Sequence, residues 1–215
     1  MLAMLDLTKL PETIPIFPLS GATLFPHCLL PLNIFEPRYV AMVSDALEQE
    51  LSLIGMVQPE SRSGDEIELY GVGCAGLVSG CRKTDDGRFE IILLGVSRFR
   101  LQTVAKSAAP YLMATVDWSD FSQDMRVEDD PPEFDHEGFG KIVKEFFASR
   151  GISVKLNPVE GRGVFFLVNE ISMSADLAPE EKQALLEIPH LQERCRALEF
   201  LLRMDMSCGK EMTTQ

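Results

Sequence analysis

The first half of the chain carries the apolar spacing of strands. Thr13-Ile14-Pro15-Ile16-Phe17-Pro18-Leu19 is a short apolar run. Its prolines cannot donate to a ladder, which predicts an edge strand or one paired on a single side. Ser20-Gly21 turns the chain and Leu29 to Ile34 is extended again. From Pro37, residues Tyr39, Met42, Val43, Ala46 and Leu47 recur at helical spacing, with proline suited to the first helical position and Glu36 just before it. Cys74 to Arg82 and Arg88 to Arg100, joined by Thr84-Asp85-Asp86-Gly87, predict a long β-hairpin, because Asp-Gly supplies the backbone angles such a loop needs. Both alternating faces of Phe89 to Val96 are apolar in the middle, so this strand is expected to be covered on two sides. Leu51 to Gln58 and Tyr111 to Trp118 supply further strands, giving a mostly antiparallel barrel with one packed helix.

Between Asp117 and Glu137 stand nine carboxylates, one base (Arg126) and the pair Pro131-Pro132. Such a segment repels itself and predicts a solvated acidic linker over 118–132. Beyond it the period becomes helical. Phe139, Ile142, Val143, Phe146 and Phe147 form one stripe, ended by Arg150-Gly151. Val164 to Ile171 is apolar almost all round except Asn169 and Glu170, which are either a buried polar cluster facing a groove or the wet edge of a bundle. Pro179-Glu180-Glu181 opens another helix, and Leu191, Cys195, Leu198 and Leu202 stripe the last. The fold class expected is α+β: an antiparallel pseudo-barrel over 10–117, then a small C-terminal helical bundle over 133–206.

The 215 residues, 46% hydrophobic, suffice for a sizeable core. No apolar run is long enough to cross a bilayer, and the amino terminus has Asp6 and Lys9 in place of a secretory pattern, so a cytoplasmic address is expected. A net charge of −13 argues against nucleic acid and anionic membrane as partners. The five cysteines lack the close paired spacing of zinc sites, and most of them read as small buried apolar residues.

Several segments form a familiar ordered set: Ile14-Pro15-Ile16-Phe17-Pro18-Leu19, Leu24-Phe25-Pro26-His27 and Leu30-Pro31-Leu32-Asn33-Ile34-Phe35-Glu36-Pro37-Arg38-Tyr39. Gly71-Val72-Gly73-Cys74-Ala75-Gly76, Asp86-Gly87-Arg88, Leu94-Gly95-Val96-Ser97-Arg98-Phe99-Arg100, Glu181 to Glu187 and Glu193-Arg194 follow. From about Thr13 to Met204 the chain resembles the amino-terminal substrate-binding domain of the Lon protease family. The resemblance implies a pseudo-barrel of the PUA kind with a helical bundle behind it. It also implies binding of unfolded or degron-bearing polypeptides, with a protease complex as a further partner. The sequence contains neither a Gly-x-x-x-x-Gly-Lys-Ser/Thr phosphate loop nor a segment like the family's Ser and Lys protease region, so no enzyme and no cofactor is expected.

His27 and Cys28 are neighbours whose side chains diverge if the stretch is extended, a poor start for a nucleophile and its base. His136 and His190 have no nucleophile beside them, and no two histidines sit a helical turn apart, so no catalytic or metal site is expected. Candidate peptide-binding residues are Phe35, Arg38, Tyr70, Arg98 and Trp118. Each has a competing role: Arg38 as a partner of Glu36 or another carboxylate, Arg98 as a lock of the barrel, and the aromatics, with Phe121, as covers of the barrel ends. The reading is a protein-binding module, an adaptor or holdase in protein quality control. A small hydrolase and a PUA-like RNA binder remain alternatives. Pro15 and Pro18 blunt the expected open edge, which favours a monomer or small homo-oligomer.

Overall fold

The computed structural model describes residues 10–63, 66–106, 108–125, 134–154 and 163–211. The chain divides into two compact units, Met1–Arg126 and Val127–Gln215.

Among the described residues the first unit has eight strands: β1 (Thr13–Pro18), β2 (Leu29–Ile34), β3 (Leu53–Val57), β4 (Pro59–Ser63), β5 (Glu66–Leu69), β6 (Val72–Lys83), β7 (Phe89–Lys106) and β8 (Leu112–Asp117). Strand β7 pairs with β6, β6 with β3, β3 with β1, β1 with β8, and β8 returns to the far half of β7, closing a five-stranded ring. β2 lies outside that ring, paired antiparallel along the first half of β7, Leu29 facing Leu94 and Ile34 facing Phe89. β4 and β5 form a separate hairpin that the sequence pattern did not reveal. The predicted β6–β7 hairpin is present, its turn closed by Gly87 at φ +85.

β7 changes partner near Gly95. A Cβ there would stand 2.1 Å from the Phe25 carbonyl oxygen, so only glycine admits the Phe25-Pro26 backbone so close to the strand. Inside the ring, Ile14, Ile16, Val57, Ala75, Phe99, Ala114 and Val116 make a buried cluster, with Leu101 and Trp118 packed at its edge.

Two sequence expectations about the strands are corrected. β1 is not an edge strand, because it pairs in parallel with β3 and antiparallel with β8. The Val116 amide donates to the Glu12 carbonyl, so even-numbered β1 residues face β8, and the Leu19 amide donates to Val57, so odd-numbered ones face β3. Pro15 therefore points its missing donor at β3 one residue before that register begins at Ile16, and Pro18 points its own at β8 after that register has ended. Two offset ladders accommodate both prolines without losing a paired donor. The second correction concerns β7, whose middle is not covered on both faces: Ile92 is exposed, as is Glu90.

Helix α1 (Pro37–Leu47) begins with proline and lays Tyr39, Met42, Val43 and Ala46 against β1 and β3. The expected solvated linker is also corrected over its first part. Ser119–Met125 forms a 3-10 segment against β7, with Phe121 and Asp124 fully buried. Residues 126–132 of that expected linker lie outside the described residues.

The second unit comprises α2 (His136–Ser149), α3 (Val164–Ser174), α4 (Pro179–Glu187) and α5 (Leu191–Glu211). The Asp135 carboxylate caps α2 by accepting the Gly138 amide at 2.9 Å, and the predicted stripe Phe139, Ile142, Val143, Phe146 and Phe147 is buried. Gly151 ends it at φ +74. Helices α2, α3 and α4 each pack on α5, which buries Arg194, Cys195, Leu198 and Leu202. Asn169 turns inward with Ser172, while its neighbour Glu170 faces solvent. The Glu181 carboxylate accepts the Ala178 amide at 2.8 Å, so the acidic first turn of α4 caps its own start.

Candidate polypeptide-binding face

Three strands present one solvent-facing side. In the antiparallel registers Pro31 faces Ile92 and Asn33 faces Glu90, while on the other flank Gly80 faces Ile92 and Arg82 faces Glu90. Residues directly opposite share a sheet face, so Leu29, Pro31 and Ile92 form an apolar strip and Asn33 with the Arg82–Glu90 ion pair forms its polar end. Gly80 places no side chain directly opposite Ile92 on that flank. The resulting groove, about 560 Å³, is lined by Pro31, Leu32, Gly80, Arg82, Glu90 and Ile92 among others. Leu29 at 55%, Ile92 at 42% and the adjoining Phe35 at 63% are exposed to a degree unusual for side chains of this size.

Among the described residues β2 pairs only with β7 and forms an edge of the sheet. The Gly95 amide donates to the Cys28 carbonyl, so even-numbered β2 residues bond to β7 and Leu29, Pro31 and Asn33 direct their backbone outwards. Pro31, not Pro15 or Pro18, is the proline that removes a donor from the middle of an open edge.

The five candidate residues do not form one groove. Phe35 follows β2 and Arg38 stands in the first turn of α1, where it bonds the Glu36 carboxylate (Nε to Oε2, 2.9 Å) and stacks on Tyr39 at 4.4 Å. Tyr70 and Trp118 lie farther along β7, near Arg100, since Val72 faces Arg100 and Arg100 faces Asp117. Trp118 is committed to packing: its Nε1 donates to the Pro11 carbonyl at 3.1 Å and its ring meets Phe99 edge-on. The Tyr70 amide donates to Gln58 at 3.0 Å.

Arg98 is corrected outright as a peptide contact. It is 0% exposed, as is Asp124. Its Nε and Nη2 donate to Asp124 Oδ2 and Oδ1 at 2.8 and 2.7 Å, its backbone amide donates to Oδ2 at 3.0 Å, and its guanidinium lies 4.5 Å over Phe121. This is a two-pronged carboxylate clamp that fastens the 3-10 segment to the barrel. Phe121, read from the sequence as a cover of a barrel end, is fully buried beneath it. Leu29, Pro31 and Ile92 were missed as site residues, although the apolar outward positions of Phe89 to Val96 were the signal for Ile92.

The described residues hold no group of three or more His, Cys, Asp or Glu placed to bind a metal. His27 is not extended; it stands at φ 64 with Nε2 2.7 Å from the Asp124 carbonyl oxygen, and Cys28 beside it is buried. Burial pushes the Cys195 thiol up to about 12, with Glu199 adding to the shift, so it is not a thiolate at neutral pH. No helix among the described residues is long and apolar enough to cross a membrane.

A closed barrel with one packed helix, an outlying strand and a following helical unit defines an α+β domain that also occurs in solved structures. The Lon N-terminal domain protein from Xanthomonas campestris superposes with a TM-score of 0.61 at 19% identity, over 86% of this chain and 96% of that one. The N-terminal domain of Mycobacterium avium complex Lon protease does so with a TM-score of 0.57 at 13% identity, over 89% and 98%. The sequence profile of the ATP-dependent protease La (LON) substrate-binding domain matches residues 13–203, and the chain belongs to that family. Among full-length relatives, the Lon protease of Flavobacterium johnsoniae is 25% identical across 94% of this chain and 25% of its own length. Lon protease 2 of Sorangium cellulosum is 34% identical across 49% of this chain and 13% of its own length. The chain thus spans a quarter or less of these proteases, over their substrate-binding region.

Proposed function

We propose that this protein is a non-enzymatic polypeptide-binding module that holds apolar segments of unfolded or degron-bearing chains on the β2–β7–β6 face. The carrying observation is the exposure of Ile92 in a groove that Pro31 also lines, with exposed Leu29 at the start of β2 and exposed Phe35 just past its end. Exposed apolar side chains rimmed by an ion pair and an asparagine suit a ligand that offers apolar groups and loses little on leaving water. Family membership supports the same reading. We place the protein in the cytoplasm as an adaptor or holdase in quality control, alone or beside a protease complex. Pro31 at the open edge supports a monomer or small homo-oligomer, which light scattering reads directly.

The test is binding of the purified protein, without nucleotide, to a reduced and carboxymethylated model protein and to its native form. Micromolar preference for the unfolded form without cleavage is expected, weakened roughly tenfold in the F35S/I92S double variant. Equal binding of both forms would remove the function, and cleavage of the unfolded chain would make the protein a hydrolase.

A further inference from the structure

A second cleft, of about 370 Å³, opens where the carboxyl end of α1 meets β1, the start of β3 and the lead into β8. Its floor is apolar, from Ile14, Pro15, Leu53 and Met113, and its rim is anionic and polar, from Asp45, Glu50 and Tyr111. Among the described residues no lysine, arginine or histidine lines it. Two further features bear on the charge of the site and on where it is held. The carboxyl end of α1 directs partial negative charge into the rim. Tyr111 donates its hydroxyl to Asp45 Oδ2 at 2.7 Å, which fixes that carboxylate at the mouth.

A long basic side chain matches such a surface, because its methylene stem covers apolar groups while its head stays with carboxylates and water. The volume lies near the lower end of small-ligand pockets, roughly 300–1,000 Å³, and suits one side chain. We propose that this cleft is a subsite for a lysine or arginine of a bound polypeptide, the stem lying on Pro15 and Met113 and the head reaching Asp45 and Glu50. The proposal rests on the polypeptide-binding reading and adds a charge preference to it: clients carrying a basic residue beside apolar ones are held in preference to uniformly apolar ones. The net charge of −13 acts in the same direction by attracting cationic segments.

The neutral phenol persists as a donor throughout the physiological range, since burial, the hydrogen bond to Asp45 and its charge together push the Tyr111 hydroxyl up to about 12. That gives a local reporter. The probes are acetyl-Leu-Lys-Leu-Leu-amide and its norleucine counterpart, which keeps the stem and loses the charge. The readout is the resonances of ring-labelled tyrosine, of which the chain has three, with the Y111F variant assigning the relevant one. The lysine probe is expected to shift the Tyr111 signal and to bind at least about fivefold more tightly than the norleucine probe, with the difference lost in the D45N/E50Q double variant. Equal affinities overturn the proposal, as do a response confined to Tyr39 or Tyr70, no binding of either probe at millimolar concentration, or a free diamine such as cadaverine binding as tightly as the peptide. Equal affinities with Tyr111 unmoved would leave the Phe35 and Ile92 groove standing on its own assay. Loss of the F35S/I92S effect with the Tyr111 response intact would remove that groove and keep the cleft.

Discussion

Replacing Asp124 by asparagine should destabilise the barrel more than any surface charge change. Asp124 and Arg98 are both 0% exposed, and three Arg98 donors converge on one carboxylate at 2.7 to 3.0 Å. Asparagine keeps one acceptor oxygen but turns an amide donor toward the guanidinium and leaves its positive charge buried without that counter-ion. Breaking such a pair costs about 3–5 kcal/mol, more than the few tenths to 1 kcal/mol of an exposed pair. At a urea sensitivity of roughly 1.5–2 kcal/mol/M, the unfolding midpoint should fall by about 2 M. For a unit of this size the melting temperature should fall by about 10–20 °C.

The chain has one tryptophan, Trp118, which packs edge-on against Phe99 in the same unit, so its fluorescence reports barrel unfolding without a tryptophan signal from the helical unit. A midpoint shift below about 0.5 M in D124N would refute the reasoning, since the buried charge would then be finding solvent or another anion. The R98M/D124L double variant sharpens the test. Apolar replacement of both partners removes the buried charge, and the backbone amide of residue 98 then loses its acceptor, a loss of about 1–3 kcal/mol. The double variant should therefore be more stable than D124N.

Four further outcomes are expected. R38A, which loses a half-exposed pair with Glu36, should change stability by at most about 1 kcal/mol in the same urea assay, so any larger effect on client binding would belong to the surface itself. G95A should destabilise by at least about 2 kcal/mol, because the added methyl meets the Phe25 carbonyl backbone and not a movable side chain. In an absorbance titration one tyrosine should ionise near 12, and because its folded pKa stands above the unfolded value of about 10, its contribution to stability is full below pH 10 and is lost as pH rises from 10 through 12; D45N should move that ionisation downward. Alkylation of the native protein followed by peptide mapping should label exposed Cys81 quickly and leave Cys28, Cys74 and Cys195 protected.

Much of the architecture was legible because it rests on local signals. Asp86-Gly87 marked the hairpin, Pro37 marked the start of α1, and the aromatic stripe of α2 gave its buried face. What failed depended on pairing between distant strands. β1 reads as an edge only if both its prolines must face an empty side along their whole length. Two ladders of different extent remove that requirement. The offset between them, one running from Ile16 to Pro18 along β3 and the other from Thr13 to Ile16 along β8, is not encoded within Thr13 to Leu19 itself: it is set by where β3 and β8 end.

The two arginines singled out from the sequence make the same point about the site. Arg38 and Arg98 invited one pair of readings, a locking ion pair or a ligand contact, and nothing adjacent to either separates them. Arg38 has its carboxylate two residues away in Glu36, so its partner was visible and the pair remains half exposed. The partner of Arg98 is 26 residues distant, within a segment whose charge density argued for solvent. Counting carboxylates treats each as equally hydrated, whereas a single buried base converts one of them into a buried anchor and draws its aromatic neighbour Phe121 in with it. The burial of an acidic run therefore depends on whether a distant strand turns a base inward, and here Arg98 on β7 decides that Ser119–Met125 belongs to the barrel.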